Sequence, residues 1–178
     1  MRADARRNRE RIITAARELV ASKGPDAGME EIAARAEVAV GTLYRHFPAK
    51  EDLVAAVITD LVADIADRAA RAHARAREGA SPVAELTAFL TDIVHNTAAL
   101  FALKPHAPGP TDPAGAEQAA RADVTALLDR ARAAGEVRAG ITIDDIDLVL
   151  GTAPSHLPPE QRARWLDLVL RGLLSALP

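Results

Sequence analysis

The chain reads as all-α: an N-terminal three-helix unit holding a helix-turn-helix, then a larger helical region, about eight helices in all. Three observations predict this. Apolar residues recur at helical spacing along nearly the whole chain, and no segment alternates convincingly as a strand would. Alanine and arginine dominate while aromatic residues make up only 3%, which favours helices packed through small and aliphatic side chains. Glycines and prolines fall between the periodic stretches, where they punctuate helices.

The elements follow in order. Ile12, Ile13, Ala16, Leu19 and Val20 form one stripe of a first helix over about 6–22, which Gly24 and Pro25 end. Met29, Ile32, Ala33 and Ala36 predict a short helix over 29–36. After Glu37, Val38 and Ala39 another runs from about 40 to 46, with Leu43 and Phe47 inward, until Pro48 breaks it. A long helix over 50–77 carries Val54, Val57, Ile58, Leu61, Ile65 and Ala69. Ser81 as N-cap and Pro82 at the first helical position open a fifth helix, expected to reach about Leu103. Residues 104–115 hold four prolines and two glycines and read as a loop. A sixth helix covers about 114–134 and stops at Gly135. Thr142 with Asp145 three residues on resembles a capping box for a seventh helix, and a last one spans about 159–177.

Composition removes several function classes. There is no cysteine, so no disulfide frame, thiolate metal site or thiol nucleophile is available. His73, His95, His106 and His156 are scattered without zinc-type spacing, and neither a metal nor a cofactor is expected. No Ser/His/Asp order, Gly-rich phosphate loop or paired histidine motif points to an enzyme. Asp92 and His95 lie one helical turn apart, but such pairs are common on helix surfaces. No secretory signal and no membrane-length apolar run is present, so a cytoplasmic protein is expected.

Charge is divided unevenly. Residues 1–50 hold 10 Lys/Arg against 7 Asp/Glu, whereas residues 51–178 hold 12 against 18. A basic end on an acidic body suits a protein that offers one face to DNA, although a solvated arginine-rich tail reads the same way on charge alone. The two short helices joined by a tight turn supply the geometry: the first braces while the second enters a major groove. On a helical wheel Gly41, Thr42 and Arg45 point away from Leu43 and Phe47.

The run from Ile32 to Leu53, with Gly41-Thr42-Leu43-Tyr44, Phe47 and Lys50-Glu51 in place, resembles the DNA-binding domain of the TetR family, and Ile12 to Gly24 fits that family's first helix. The resemblance implies a DNA-binding domain at 1–49 and an effector-binding and dimerisation domain at 50–178. It implies phosphate contacts by Thr42, Tyr44, His46 and Lys50, with Val40, Gly41, Thr42 and Arg45 nearest the base edges. Arg6, Arg7 and Arg35 join them as candidate DNA contacts from the basic face. Arg45 is the candidate guanine reader, a phosphate contact being its alternative. The sequence departs from the family at the helix starts, where Gly28, Ala39 and Ala49 replace the usual Ser or Thr, and in the turn, where Glu37 replaces Gly. Glu31 and Asp52 are placed to keep half of a capping box. A headpiece that orders fully on DNA is the expectation, with Glu37 mildly repulsive to it.

The remainder resembles the family's regulatory domain in architecture only, apart from a loose echo at Gly135-Glu136-Val137-Arg138 and Asp144-Asp145. Ile146, Val149 and Leu150, with Trp165, Leu166, Val169, Leu170 and Leu173, exceed one apolar face and are expected to form a two-fold homodimer interface as well as core. The implied partners are double-stranded operator DNA, a small-molecule effector and a second copy. Phe89, Asn96, Leu100 and Phe101 are the candidate effector pocket; Asn96 at the edge of its stripe either orients a ligand or is satisfied by a neighbour. The rival reading is a helical ligand- or protein-binding dimer with impaired DNA recognition.

Overall fold

The computed structural model describes residues 2–96, 100, 103–107, 115–154 and 157–174. Among them are eight α-helices: α1 (Arg2–Lys23), α2 (Met29–Arg35), α3 (Val40–His46), α4 (Lys50–Arg77), α5 (Pro82–Asn96), α6 (Ala116–Ala133), α7 (Ile143–Gly151) and α8 (Pro159–Leu173). A short 3-10 turn occupies Lys104–His106. The all-α reading holds, with one small addition: an isolated antiparallel bridge joins Val137 to Leu174.

Packing divides the chain into two units, Met1–Val62 with Thr97–Pro113, and Ala63–Asn96 with Ala114–Pro178. In the first, α1 lays Ile12, Ile13, Ala16, Leu19 and Val20 inward, the stripe its sequence spells out. α1 packs against α2 and α3, and Ile32 and Ala33 of α2, Leu43 of α3, and Leu53, Val57, Ile58 and Leu61 of α4 are buried in the same unit. Each side chain of that size stabilises by about 1.5–3 kcal/mol when fully buried. α1 begins at Arg2, ten residues before its apolar stripe and four before the expected start, through an arginine-rich stretch whose Arg6 pairs with Glu10 one turn on. It ends at Gly24, whose φ of +91° is open to glycine, with the Gly24 N–H donating to the Val20 carbonyl.

The second unit is organised on α5, which packs against α6, α7 and α8. Leu86, Phe89, Leu90 and Ile93 of α5 interlock with Val124, Leu127, Leu128 and Ala131 of α6. Ala69, Ala72 and Ala76 line the same core from α4; small residues there let the helices approach closely. Polar groups tie its rim together. Arg68 bridges Asp64 on its own helix and Asp92 on α5, and this pairing with its hydrogen bonds holds the guanidinium pKa above its ordinary value against the opposing effect of burial. His73 Nδ1 shares a 2.7 Å hydrogen bond with Asp123 of α6.

The expected helix starts in this unit are present. Ser81 Oγ accepts the Ala84 N–H at 3.3 Å, and Pro82 is the first residue of α5. The Thr142 N–H and hydroxyl both donate to the Asp145 carboxylate, at 2.7 and 2.9 Å. No helix among the described residues is long and apolar enough to cross a membrane.

Candidate nucleic-acid interface

The turn between α2 and α3 is built by backbone hydrogen bonds rather than side-chain caps. At the end of α2 the Val38 N–H donates to the Ala33 carbonyl at 3.0 Å and the Glu37 N–H to that of Ala34 at 3.1 Å. This pair is the Schellman arrangement, which demands a left-handed residue between helix and turn. Glu37 fills that place with a φ of +53°, the sole positive φ outside glycine among the described residues. The conformation costs a side-chain-bearing residue about 1–2 kcal/mol. Arg11 reaches across from α1 to the Glu37 carboxylate at 2.7 Å and its carbonyl at 3.4 Å. The expected repulsion between Glu37 and DNA is therefore offset by a cation placed directly on it.

The turn sets α3 so that Leu43 and Phe47 point into the unit, at 0% and 3% exposure. The Arg9 guanidinium lies over the Phe47 ring, 5.4 Å from its centroid, and pins α1 against the end of α3. Ala39, Val40, Gly41, Tyr44 and Arg45 are exposed, while Thr42, His46 and Lys50 are half-buried. The aliphatic stem of Lys50 accounts for its partial burial: it lines a narrow apolar crevice with Leu53, Val54 and Val57.

The sequence-derived cations divide into two groups. Arg7, Arg45 and Lys50 make no ion pair among the described residues. Arg6, by contrast, pairs with Glu10 at 3.3 Å and Arg35 with Glu18 at 2.6 Å. Both pairs are exposed and worth about 0–1 kcal/mol, so they can be exchanged for phosphate oxygens. The Glu18–Arg35 and Arg11–Glu37 pairs line an open groove of about 480 Å³ between α1 and the α2–α3 turn.

At the helix starts, Gly28 and Ala39 provide no side-chain cap. The Asp52 carboxylate accepts the Ala49 N–H at 3.0 Å, so half of that capping box survives. Glu31 does not play the corresponding role for Gly28; its carboxylate pairs with Lys23 of α1. The sequence reading missed Arg9 and the Arg11–Glu37 pair. A non-glycine residue at the turn was visible, but nothing local marks a partner 26 residues away.

Phe89 is core in the second unit, and Asn96 is exposed at the end of α5, donating to Asp92. Leu100 is buried in residues of the first unit, and Phe101 lies outside the described residues. His95 Nδ1 donates to the Thr91 carbonyl at 2.6 Å while Asp92 is engaged by Arg68 and Asn96, so Asp92 and His95 do not form a pair.

On α7 and α8, Ile146 and Leu166 are 1% and 2% exposed; both are spent in the unit's own core and leave no surface for a partner. Leu150, Leu170 and Leu173 pack partly against that core. Val149, Trp165 and Val169 are half-buried. Leu168 and Leu148 are exposed, the latter unforeseen from the sequence.

Comparison with known proteins gives this geometry a context. The family described as bacterial regulatory proteins, tetR family, matches residues 12–57, which span α1 to the first turns of α4. A second family, the C-terminal domain of SbtR-like transcriptional regulators, matches residues 81–175. No curated protein matches the chain. The crystal structure of a TetR transcription regulatory protein from Mycobacterium vanbaalenii is 34% identical with a TM-score of 0.71, covering 98% of this chain and 99% of its own. A TetR transcriptional regulator from Streptomyces coelicolor is 30% identical with a TM-score of 0.70, over 94% and 99%. The TetR family protein CprB of S. coelicolor, 24% identical with a TM-score of 0.70 over 98% and 92%, shares the fold. Two family matches, one reaching into α4 and one beginning after it, and relatives of this identity along nearly the whole length, have one reading: the chain belongs to the TetR family of DNA-binding bacterial transcription regulators.

Proposed function

We propose that this protein is a homodimeric repressor that reads a pseudo-palindromic operator through α2 and α3 and is released by a small-molecule effector. Residues 1–49 form the DNA-binding domain in this reading, and residues 50–178 bind the effector and the second copy. The observation that carries it is the outward face of α3. Tyr44 and Arg45 are exposed and Arg45 is unpaired among the described residues, while Leu43 and Phe47 lock the opposite face. A helix so oriented presents its polar side to a groove edge. Thr42, Tyr44, His46 and Lys50, with Arg6, Arg7 and Arg35, position the protein on phosphates; Arg45 reads a base.

Two copies place two such helices about 34–36 Å apart, one turn of duplex. Leu148, Val149, Trp165, Leu168 and Val169 are the free apolar surface on α7 and α8 from which the dimer is built. An effector that prefers one arrangement of the C-terminal domain lowers operator affinity through linkage, by typically 1–3 kcal/mol of coupling. α4 is the covalent route, since its residues belong to both packing units.

The test is selection from random duplex DNA by the purified protein at physiological salt, beside Arg45→Ala and Tyr44→Ala. An enriched inverted repeat is expected, relaxed at particular base pairs by Arg45→Ala and weakened evenly by Tyr44→Ala. Salt-sensitive binding with no enriched sequence would overturn this reading in favour of a helical binding dimer with impaired DNA recognition.

A further inference from the structure

The first turn of α3 is poorly suited to its own fold. Its N-cap, Ala39, offers no side-chain acceptor. Val40 is β-branched, which disfavours a helix, and at 40% exposure it contributes little to any core. Gly41 is a weak helix former placed where nothing requires glycine: a Cβ there would meet no atom within 4 Å. Four large hydrophobic side chains are exposed among the described residues, and two of them, Val40 and Tyr44, stand one turn apart on α3. Neither packing nor local propensity explains Val40 and Gly41, so the explanation lies in what this surface meets.

We infer that Val40 reads the C5 methyl group of a thymine in each operator half-site, and that Gly41 keeps the helix bare enough to bring it there. The inference rests on the proposed operator-binding role and adds to it the chemistry of one base pair. Ala39, Val40 and Gly41 carry no side-chain donor or acceptor, so this end of α3 cannot use the hydrogen-bonding code of the major groove. The thymine methyl is the one apolar group that code contains, and an exposed valine is its complement. Arg45 then supplies hydrogen-bonded readout one turn further along, so each half-site is read by an apolar contact and a polar one.

The probe is the inverted-repeat duplex enriched by the wild-type protein, with thymidines replaced one at a time by deoxyuridine, which removes only the methyl. One thymine per half-site is expected at which the replacement weakens wild-type binding about fourfold, the effect of exposing one methyl group. Val40→Ala is expected to bind the parent duplex more weakly and to show no further loss at that thymine. Gly41→Ala is expected to melt at a higher temperature yet bind every duplex more weakly. If all deoxyuridine duplexes bind as the parent does, or if Val40→Ala keeps the same methyl penalty, the inference is overturned while the operator-reading role stands. Failure to enrich any repeat overturns both.

Discussion

The ends of α2 and α3 in the first unit rest on different residues from the closures of α4 and α6 and the starts of α5 and α7 in the second. In the second unit α4 closes on Gly79 at a φ of +109°, with the Ala80 N–H bonded to the Arg75 carbonyl and that of Gly79 to Ala76. α6 closes the same way on Gly135 at +74°, with Glu136 bonded to Ala131 and Gly135 to Arg132. α5 and α7 start on Ser81 and on the Thr142–Asp145 pair. In the first unit the same closing motif at the end of α2 is forced onto Glu37, and α2 and α3 start on Gly28 and Ala39 without side-chain caps. Identical backbone hydrogen bonds therefore rest on different residues. The two seven-residue helices of the headpiece are too short to stand alone, so they depend on Ile32, Ala33 and Leu43 reaching the core. The unit proposed to meet DNA is the one whose local structure is least self-sufficient, as expected of binding elements in general.

The most direct way to break this comparison is to move the weak choice into the strong unit. Gly135→Glu places at the end of α6 the residue that α2 tolerates at Glu37. A Cβ at Gly135 meets nothing within 4 Å, so no clash adds to the left-handed strain of about 1–2 kcal/mol, and the loss of unfolded-state entropy offsets about 0.5–1 kcal/mol of it. A net destabilisation of about 1 kcal/mol is expected, read as a fall of a few degrees in Tm. An unchanged Tm would mean that the residue between helix and turn does not set the stability of the closure.

The converse substitution acts in the opposite direction. Ala39 has the extended backbone that an N-cap needs, with φ −64° and ψ 142°. Ala39→Ser is expected to stabilise by about 1 kcal/mol, and amide protection in α3 to rise about fivefold if that segment opens locally. Faster exchange of α3 amides than of α5 and α6 amides is expected in the unsubstituted, DNA-free protein. Equal protection of the two sets would remove the distinction between the units.

How far this contrast could be foreseen depends on the range of each interaction. All eight helices were legible because their stripes, prolines and capping residues act within a few positions, and Ser81 and the Thr142–Asp145 pair behave as the spacing indicates. The inward and outward faces of α3 were legible for the same reason. The partners of the charged residues were not. Arg35 meets Glu18, Arg11 meets Glu37 and Arg68 meets Asp92 across gaps of 17 to 26 residues, and no local pattern announces such pairs. Nor can an apolar stripe tell its own core from a partner's. Ile146 and Leu166 look like interface residues in the sequence and are core in the structure, whereas Leu148 is exposed.

The capping of α7 also leaves a pH signature. The Asp145 carboxyl is held below its ordinary pKa, first by the Thr142 backbone N–H and then by the Thr142 hydroxyl. A carboxylate with a folded pKa below its unfolded value adds stability above the unfolded value, near 3.9 for aspartate. That contribution is lost as pH falls through the folded value. Urea unfolding midpoints measured from pH 6 to pH 3 should fall less steeply for Asp145→Asn than for the unsubstituted protein. Parallel curves would show that this cap contributes nothing that depends on its charge.

The smallest expected change in stability belongs to Glu37→Gly, and its smallness is informative. Glycine removes a left-handed strain of about 1–2 kcal/mol. It also adds chain entropy to the unfolded state, about 0.5–1 kcal/mol, and abolishes an exposed pair with Arg11 worth about 0–1 kcal/mol. These contributions nearly cancel, so Tm should move little. DNA binding should not cancel in the same way, because the substitution deletes a carboxylate beside α3 and releases the Arg11 guanidinium. Affinity should rise, and if Arg11 takes up a phosphate the slope of log K against log salt should steepen by about 0.9. A change in Tm of several degrees with unaltered DNA binding would make Glu37 a purely structural oddity. The expected result would make it a brake on affinity, held in place by the arginine it neutralises.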